Sequence, residues 1–444
     1  MARVAATGER DPKAQIGLAA AISIGVGGMI GAGIFSILGV AAGVAGGGLP
    51  VSFAISGVVA LFAAYSYVKL GVRYPSSGGA VTFMVRGYGD GLRAGTANVF
   101  MYFSYVIAIA LYAQGFAGYA VTFWDIPSQF YAVGLVVLFT LINFVGGRMM
   151  GRVETIIVSI KITILVVFIA SAAIAMSDPS RLSPVHWAAP PEVLFGAGIL
   201  FVGYEGFGLI ANASGSMRNV SRELPRAVYS AVAIVIVIYI LVALAVVANL
   251  PLSQLDGLGD SALAVAAEPA LGQAGFTLIA IAALLSTASA VNATLFGSAN
   301  VVYQIATDGD LPKSFENQWW GKDVEGLFIT TGLVILFILI FPLGPIAMMG
   351  SAAFLLVYAA VNFGHLRIRE ETGAKAWIIA VSVLSCLSLF VVLSIYIIRN
   401  EPAAYIALIV TLVVSFVIEV VYRRVRGRTF KQLLDTTAAA PPTS

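Results

Sequence analysis

The chain has 444 residues, of which 59% are hydrophobic and only 11% are charged, and this composition excludes a soluble globular domain. The formal net charge of +3 is small, so the placement of the charges carries more information than their sum. The single cysteine, Cys386, excludes an internal disulfide and a cysteine-based metal cluster. We expect no metal, no cofactor and no nucleic-acid partner.

Hydrophobic runs long enough to cross a hydrocarbon core of roughly 30 Å as helices recur along the whole chain. They predict an all-α polytopic membrane protein. The twelve predicted spans are 16–44, 51–70, 95–123, 130–147, 153–176, 192–215, 227–249, 273–303, 326–344, 346–365, 376–398 and 402–421. A polar segment, 1–15, precedes them, and a basic tail, 422–444, follows them.

The basic residues predict the orientation, because Lys and Arg remain on the cytoplasmic side of a membrane. With the N-terminus inside, 22 basic residues lie in the inside segments, and only Arg181 and Arg399 lie outside. Lys161 is left within a span. The bias therefore predicts cytoplasmic N- and C-termini and a multi-pass protein of the cytoplasmic membrane.

The first span carries the run GVGGMIGAGIF at 25–35, with five glycines within nine residues. Glycine costs about 1 kcal/mol relative to alanine inside a helix, so this density predicts a local break. Broken backbone at membrane depth is tolerated where it lines a cavity or is buried in protein. The alternative is close helix packing through small residues such as Gly27 and Gly31.

The segment 71–93, which follows the second span, contains Gly and Pro and alternates apolar with polar residues. It is either a partly re-entrant element or an ordinary surface loop. The segment 250–272 carries three acidic residues and no basic residue, which fits an outer loop.

The fifth span contains Lys161, which lies about 12 Å along the helix from Val153, at about 1.5 Å per residue. One interpretation is a lysine that extends to the cytoplasmic interface with its apolar stem in lipid. The other is a lysine that faces the bundle interior and gains and loses a proton there. Arg152 and Glu154 already supply interfacial anchors, which favours the interior position.

The sixth span contains FVGYEGFG at 201–208, in which three glycines surround the carboxylate of Glu205. An acidic side chain at this depth is expensive and indicates function. Spans one and six each begin a group of five helices. Two glycine-interrupted helices at matching positions are typical of an inverted-repeat transporter with its site near the membrane midplane. We therefore expect a first repeat at 16–176, an inverted second repeat at 192–365, and two additional helices at 376–421.

These segments, with NVSRELPRA at 219–227 and STASAVNATLFGSANVVYQIATDGDLP at 286–312, resemble the amino acid–polyamine–organocation transporter superfamily, and within it the prokaryotic proton-coupled amino acid transporters. The resemblance covers nearly the whole chain. It implies five helices, an inverted five and two more, as in the leucine-transporter-like fold.

The resemblance also implies a site. Backbone of the first span, at Ile30, Gly31, Ala32 and Gly33, would hold the substrate carboxylate. The sixth-span residues Gly203, Tyr204, Glu205 and Gly206 would receive the α-amino group and face the side chain. Lys161 is similar to the lysine that takes the place of a sodium ion in proton-coupled relatives. Ser286, Thr287 and Ser289 match the hydroxyl cluster of that sodium site.

The function these residues predict is secondary active transport of amino acids or related amines by proton coupling and alternating access. The alternatives are an exchanger of amino acids or polyamines without net proton coupling, and a membrane sensor that binds a solute without transporting it. An enzyme is disfavoured because no catalytic motif occurs. Glu205 has three possible roles. It receives the substrate amine; it takes part in coupling, by countering the charge of Lys161 or by serving as a second proton site; or it is a protonated, structural carboxyl that is hydrogen-bonded to the freed backbone of the break. Monomeric and homo-oligomeric states both remain open.

Overall fold

The computed structural model describes residues 16–76, 78–146, 150–176, 178–255, 261–308, 318–319, 322–323 and 325–426. The predicted segment 1–15 and most of the basic tail, 427–444, lie outside the described residues.

The described chain is almost entirely helical. Its helices are α1 (Leu18–Ala45), α2 (Leu49–Arg73), α3 (Ala80–Tyr88), α4 (Leu92–Ala120), α5 (Ser128–Gly146), α6 (Met150–Ile174), α7 (Pro190–Leu200), α8 (Phe207–Asn212), α9 (Val220–Asn249), α10 (Leu252–Leu255), α11 (Ala262–Asp308), α12 (Glu325–Ile340), α13 (Leu343–Arg367), α14 (Arg369–Thr372), α15 (Ala376–Asn400) and α16 (Pro402–Arg426). Two short strands, β1 (Gln318–Trp319) and β2 (Lys322–Asp323), pair in antiparallel fashion between α11 and α12.

Ten helical segments of the described chain are long and apolar enough to cross a membrane, which establishes a multi-pass membrane protein. The apolar stretches of α5 and α12, Ser128–Phe144 and Gly326–Ile340, are shorter than these ten. They coincide with the predicted spans 130–147 and 326–344. Because their apolar stretches are shorter than those of the ten, the count of twelve spans stays a prediction.

The helices differ in how deeply they are buried. In α4 and in the sixth span, 89% of the most apolar window is buried inside the protein, whereas in α16 the share is 28% and in α6 it is 33%. A helix that is apolar on all sides and buried belongs to the centre of a bundle. The sixth span and α4 therefore form the centre, and α6, α15 and α16 expose apolar side chains on the outside.

Two of the segments between predicted spans, 71–93 and 250–272, contain helix. Segment 71–93 contains the helix α3, and its Val81, Phe83 and Met84 are fully buried. This favours an element inserted into the protein over a loop on the surface. In the predicted outer loop 250–272, the part from Ala262 onward is helical and forms the first part of α11, which a kink at Gly272, whose φ is 64°, separates from the rest of that helix. Alanine-rich sequence favours helix there.

The start of α1, the end of α2 and the segment between α8 and α9 meet on one side of the bundle. The Ile16 N–H donates to the Ser216 carbonyl at 2.9 Å, and the Ser76 N–H donates to Ser214 Oγ at 3.2 Å. The end of α13 is joined to α2 on the same side. We call this the N-terminal side.

Candidate functional site

The sixth span is broken near its middle, which confirms the prediction from its glycines. Helix α7 ends at Leu200, a 3₁₀ turn covers Phe201–Tyr204, and α8 begins at Phe207. The carboxylate residue Glu205 lies in the turn between the two helical pieces. The chain therefore presents irregular backbone at the centre of the bundle, where it is buried in protein.

Side chains of other helices satisfy the backbone groups that this break frees. The Ser351 hydroxyl of α13 donates to the Gly198 carbonyl at 2.5 Å and accepts from the Val202 N–H at 3.1 Å. It therefore stands between two groups that an unbroken helix would join directly. The Tyr358 hydroxyl donates at 2.8 Å to the Glu205 carbonyl, which also accepts from the Gly208 N–H at 3.0 Å.

The first span is not broken: α1 is a continuous helix from Leu18 to Ala45, and the predicted break there is wrong. Glycine makes a helix weaker, but it does not open one whose surroundings hold it in place. The glycines of α1 instead permit close packing, which was the alternative interpretation of this run. A side chain at Gly31 would place its Cβ 3.1 Å from Ala290 Cβ and 3.2 Å from the Ser286 carbonyl oxygen.

Glycines of α1 also meet glycines of the sixth-span break. A Cβ at Gly28 would lie 2.8 Å from Leu209 Cδ1 and 3.3 Å from Gly206 Cα. A Cβ at Gly33 would lie 2.7 Å from Gly203 Cα. The distance at Gly33 is too short for any Cβ, so only glycine allows the two backbones to approach this closely there, whereas at Gly28 the neighbouring atoms would have to move by a few tenths of an ångström. The sequence-predicted residues of the two spans are thus brought together.

Donors from four other helices point at carbonyl groups of α1, among them the Tyr119 hydroxyl of α4, which donates to the Phe35 carbonyl at 3.1 Å. Lys161 Nζ donates to the Gly27 carbonyl at 2.8 Å, and the Tyr239 hydroxyl donates to the Met29 carbonyl at 2.6 Å. Ser286 Oγ lies 3.5 Å from the Ile30 carbonyl. The carbonyls, rather than the N–H groups, are the α1 backbone atoms that these side chains contact. The predicted role of α1 N–H groups toward a carboxylate remains a prediction, since a continuous helix already uses those N–H groups.

Glu205 is 2% exposed, and its Oε1 accepts a hydrogen bond from the Tyr112 hydroxyl at 2.8 Å. No ion pair joins Glu205 to Lys161 in the part of the chain that the structure describes. The neighbouring Tyr204 is fully buried and turns toward α2, where its hydroxyl donates to the Phe53 carbonyl at 2.9 Å. Within the turn, Glu205 is therefore the residue that offers a charged group at the break.

Lys161 is 1% exposed, although α6 is largely an outer helix. Its neighbour Ile160 is 44% exposed, so the lysine lies on the inner face of the helix. A Cβ atom built at Gly31 would lie 3.5 Å from Lys161 Nζ. The structure thus places this lysine in the interior against α1, as the second interpretation of the sequence expects.

The three predicted hydroxyl residues of the eighth span, Ser286, Thr287 and Ser289, are buried. Ser286 faces α1 close to the position of Lys161, whereas Thr287 Oγ1 donates to the Ala283 carbonyl of its own helix at 2.7 Å. Ser289 is 8% exposed. Of the first-span residues, Ile30 is fully buried. The side chain of Ala32 lies outside the described residues.

Three tyrosines at this centre were not singled out from the sequence: Tyr112 of α4, Tyr239 of α9 and Tyr358 of α13. Each donates its hydroxyl to α1 or to the break. The sequence feature that could have identified them is a tyrosine within an apolar span, because a buried tyrosine hydroxyl needs a hydrogen-bond partner. Sequence alone, however, does not give the partner.

The chain was compared with known proteins. The family described as amino acid permease matches residues 20–434. An uncharacterized protein of Methanocaldococcus jannaschii is 39% identical over 94% of this chain and 97% of its own length. The inner membrane transport protein YbaT of Escherichia coli K12 is 35% identical over 92% of this chain and 96% of its own.

Among solved structures, the manganese transporter of Eremococcus coleocola, in complex with an aromatic bis-isothiourea substituted compound, superposes with a TM-score of 0.62. The match covers 91% of this chain and 92% of that chain at 15% identity, and it shows a shared fold.

Proposed function

Because the chain belongs to the amino acid permease family of the amino acid–polyamine–organocation superfamily, and is thus a membrane transporter and not an enzyme, we propose that its substrate is an amino acid or a related amine. Transport is proton-coupled and proceeds by alternating access. The observation that carries the proposal is the presence of one buried carboxylate, Glu205, in the sixth-span break and one buried amine, Lys161, against α1, which packs on that break.

The proposed architecture has twelve spans: five helices, an inverted five and two more, with both termini in the cytoplasm. The shorter helices α5 and α12 complete the count if the bilayer is thinner around them, which shorter spans can accommodate at modest cost. The N-terminal side of the bundle is then its cytoplasmic side.

The carboxylate of Glu205 receives the substrate amine. It is buried, and one hydroxyl, that of Tyr112, approaches it among the described residues, which leaves further acceptor capacity on the carboxylate. An ammonium bound there forms a charge-assisted hydrogen bond, roughly twice as strong as a neutral one. Of the three roles considered, amine binding fits better than coupling to Lys161, since no ion pair links the two residues in the described chain.

Lys161 carries the coupled proton. As an ammonium it ties α6 to the Gly27 carbonyl of α1 by a charge-assisted hydrogen bond. As a neutral amine it holds that carbonyl more weakly, and α1 is then freer to move against α6. Its amine also occupies the neighbourhood of Ser286, so it supplies the positive charge that a sodium ion would otherwise bring.

The substrate carboxylate binds near Ile30, Gly31, Ala32 and Gly33. Because α1 is continuous here, its N–H groups become available only if the helix opens locally at these positions. Glycine-rich sequence lowers the free energy of such an opening. The glycines of α1 then serve two purposes, close packing in one state and loosening in another.

The test is uptake by the purified protein in proteoliposomes, using a panel of labelled amino acids and polyamines with and without an inward proton gradient. We expect at least one amino acid to accumulate only with the gradient, without a requirement for sodium. Uptake that depends on internal amino acid and not on the gradient would support an exchanger. Binding with no uptake under any gradient would support a sensor.

A further inference from the structure

A chain of buried polar side chains runs from the sixth-span break to the surface on the N-terminal side. Asn362 Nδ2 donates to the Tyr358 carbonyl at 2.8 Å, and Ser66 Oγ donates to Asn362 Oδ1 at 2.6 Å. His365 Nδ1 lies 2.8 Å from Ser66 Oγ, and its Nε2 lies 2.8 Å from Thr372 Oγ1. Tyr358 itself donates to the Glu205 carbonyl.

His365 lies in the middle of this series of hydrogen-bonded side chains and is fully buried. Both of its ring nitrogens are used, one toward α2 and one toward α14. A buried polar side chain that loses one partner incurs the desolvation cost of the group left unpaired. The contacts therefore form or break together, unlike independent contacts on the surface. We call the two contacts of His365, with Ser66 and with Thr372, the latch.

The latch joins two helices whose main packing partners differ. Helix α2, which carries Ser66, packs mainly against α9 and α7, whereas α13, which carries His365, packs mainly against α15 and α4; α7 and α15 contact both α2 and α13. Other links between α2 and the α13–α14 end are exposed: Lys69 Nζ to the Gly373 carbonyl at 3.4 Å, the Lys375 N–H to the Tyr65 hydroxyl at 2.9 Å, and the Tyr74 hydroxyl to the Glu371 carboxylate. Exposed contacts contribute less to the free energy that holds the two helices together, because water takes their place when the helices separate.

An aromatic cluster lies between the latch and Glu205. Tyr358 stacks on Phe207 with centroids 4.9 Å apart, and Tyr67 meets Tyr358 edge-on at 5.3 Å and Phe207 at 5.4 Å. Phe83 of the inserted helix α3 contacts Tyr67 from outside at 5.7 Å. These rings pack together on the N-terminal side of the break, and Tyr358, which contacts both Tyr67 and Phe207, lies two helical turns before His365 on α13.

We propose that His365 is a positioning residue for transport: its contact with Ser66 locks α13 to α2 and keeps Tyr358 in the aromatic cluster, so that substrate leaves toward the N-terminal side only after this contact breaks. The inference rests on the proposed function for its role in the cycle. The contact and its conformational effect can be measured without any transport.

The experiment measures how fast a thiol reagent reaches two positions. Cys386 is the sole cysteine, so its replacement by alanine gives a cysteine-free background. A cysteine is then introduced at Ala211 of α8, on the N-terminal side of the break, or at Ala197 of α7, on the other side, both fully buried. Labelling rates are compared for the original His365 background, His365→Ala, His365→Asn and His365→Gln.

Asparagine places a polar atom near the Nδ1 position and glutamine near the Nε2 position, so the pair separates the contact with Ser66 from the contact with Thr372. We expect His365→Ala and His365→Gln to raise labelling at Ala211→Cys about tenfold, with no rise at Ala197→Cys. His365→Asn and the original background should label slowly. Ser66→Ala should reproduce His365→Ala.

A rise at both positions would indicate general loosening and would overturn the proposal, as would unchanged labelling at Ala211→Cys in His365→Ala and Ser66→Ala. Equal behaviour of the Asn and Gln variants would also overturn it. Each result is independent of the uptake panel, so a failure of the latch and a failure of the proposed substrate are distinguishable.

Discussion

The first and sixth spans are both rich in glycine, yet α1 is continuous and the sixth span is broken. The difference lies in the partners of the backbone. At the break, the Ser351 hydroxyl stands between the Gly198 carbonyl and the Val202 N–H. Side chains of other helices also donate to carbonyls of α1, but in the described structure none stands between an α1 N–H and its helical acceptor. Glycine permits a break, but a side chain inserted from another helix produces it.

The strongest way to probe the comparison is a side chain at Gly33, where α1 meets Gly203. Gly33→Val should abolish transport and lower the thermal unfolding temperature, because overpacking costs about 1–3 kcal/mol and sometimes more. Gly134→Val is the control, since a Cβ at Gly134 meets nothing within 4 Å. If Gly33→Val transports normally, the close contact between the two spans is not needed.

The broken span should differ from α1 in its dependence on charge. Glu205→Gln should weaken binding of amine-bearing substrates about tenfold, because a neutral hydrogen bond replaces a charge-assisted one. Equilibrium binding of labelled amino acid across pH 5 to 8 would measure the change, with the exposed Glu370→Gln as control. Unaltered affinity at every pH would leave only the structural role for this carboxylate.

Ser351→Ala tests what creates the break. Without the inserted hydroxyl, the Val202 N–H loses a buried partner, and we expect about 1–3 kcal/mol of destabilisation. Ser394→Ala is a matched control, because the Ser394 hydroxyl is buried without a hydrogen-bond partner in the described structure. Thermal unfolding of both variants would compare them. Equal unfolding temperatures would mean that the insertion does not support the break.

The smallest effect is expected at Gly208 of α8. A Cβ there would lie 3.6 Å from the Tyr358 hydroxyl and 3.8 Å from Tyr67 Cε1, which are ordinary contact distances. Gly208→Ala should therefore change stability by less than about 0.5 kcal/mol, as is usual away from strained sites. A large loss of stability in this variant would show that Gly208, like Gly203 and Gly206, is needed for close packing.

The sequence predicts the positions of the helices well, because apolar runs and the placement of Lys and Arg report directly on the membrane. It also identifies Glu205 and Lys161 as buried charges. It does not distinguish the two glycine-rich spans, since the residue that interrupts the sixth, Ser351, lies 149 residues further along the chain than Val202. The partners of Tyr112 and Tyr239 are hidden for the same reason: they are set by packing between distant helices.

The most direct test of the account is proton movement through Lys161. Protein in proteoliposomes that contain a pH-sensitive dye is given an external amino acid identified by the uptake panel. Wild type and the exposed-lysine control Lys375→Ala should acidify the interior, whereas Lys161→Ala should exchange labelled amino acid without acidification. Acidification by Lys161→Ala at the wild-type rate would contradict the assignment of the coupled proton to this lysine.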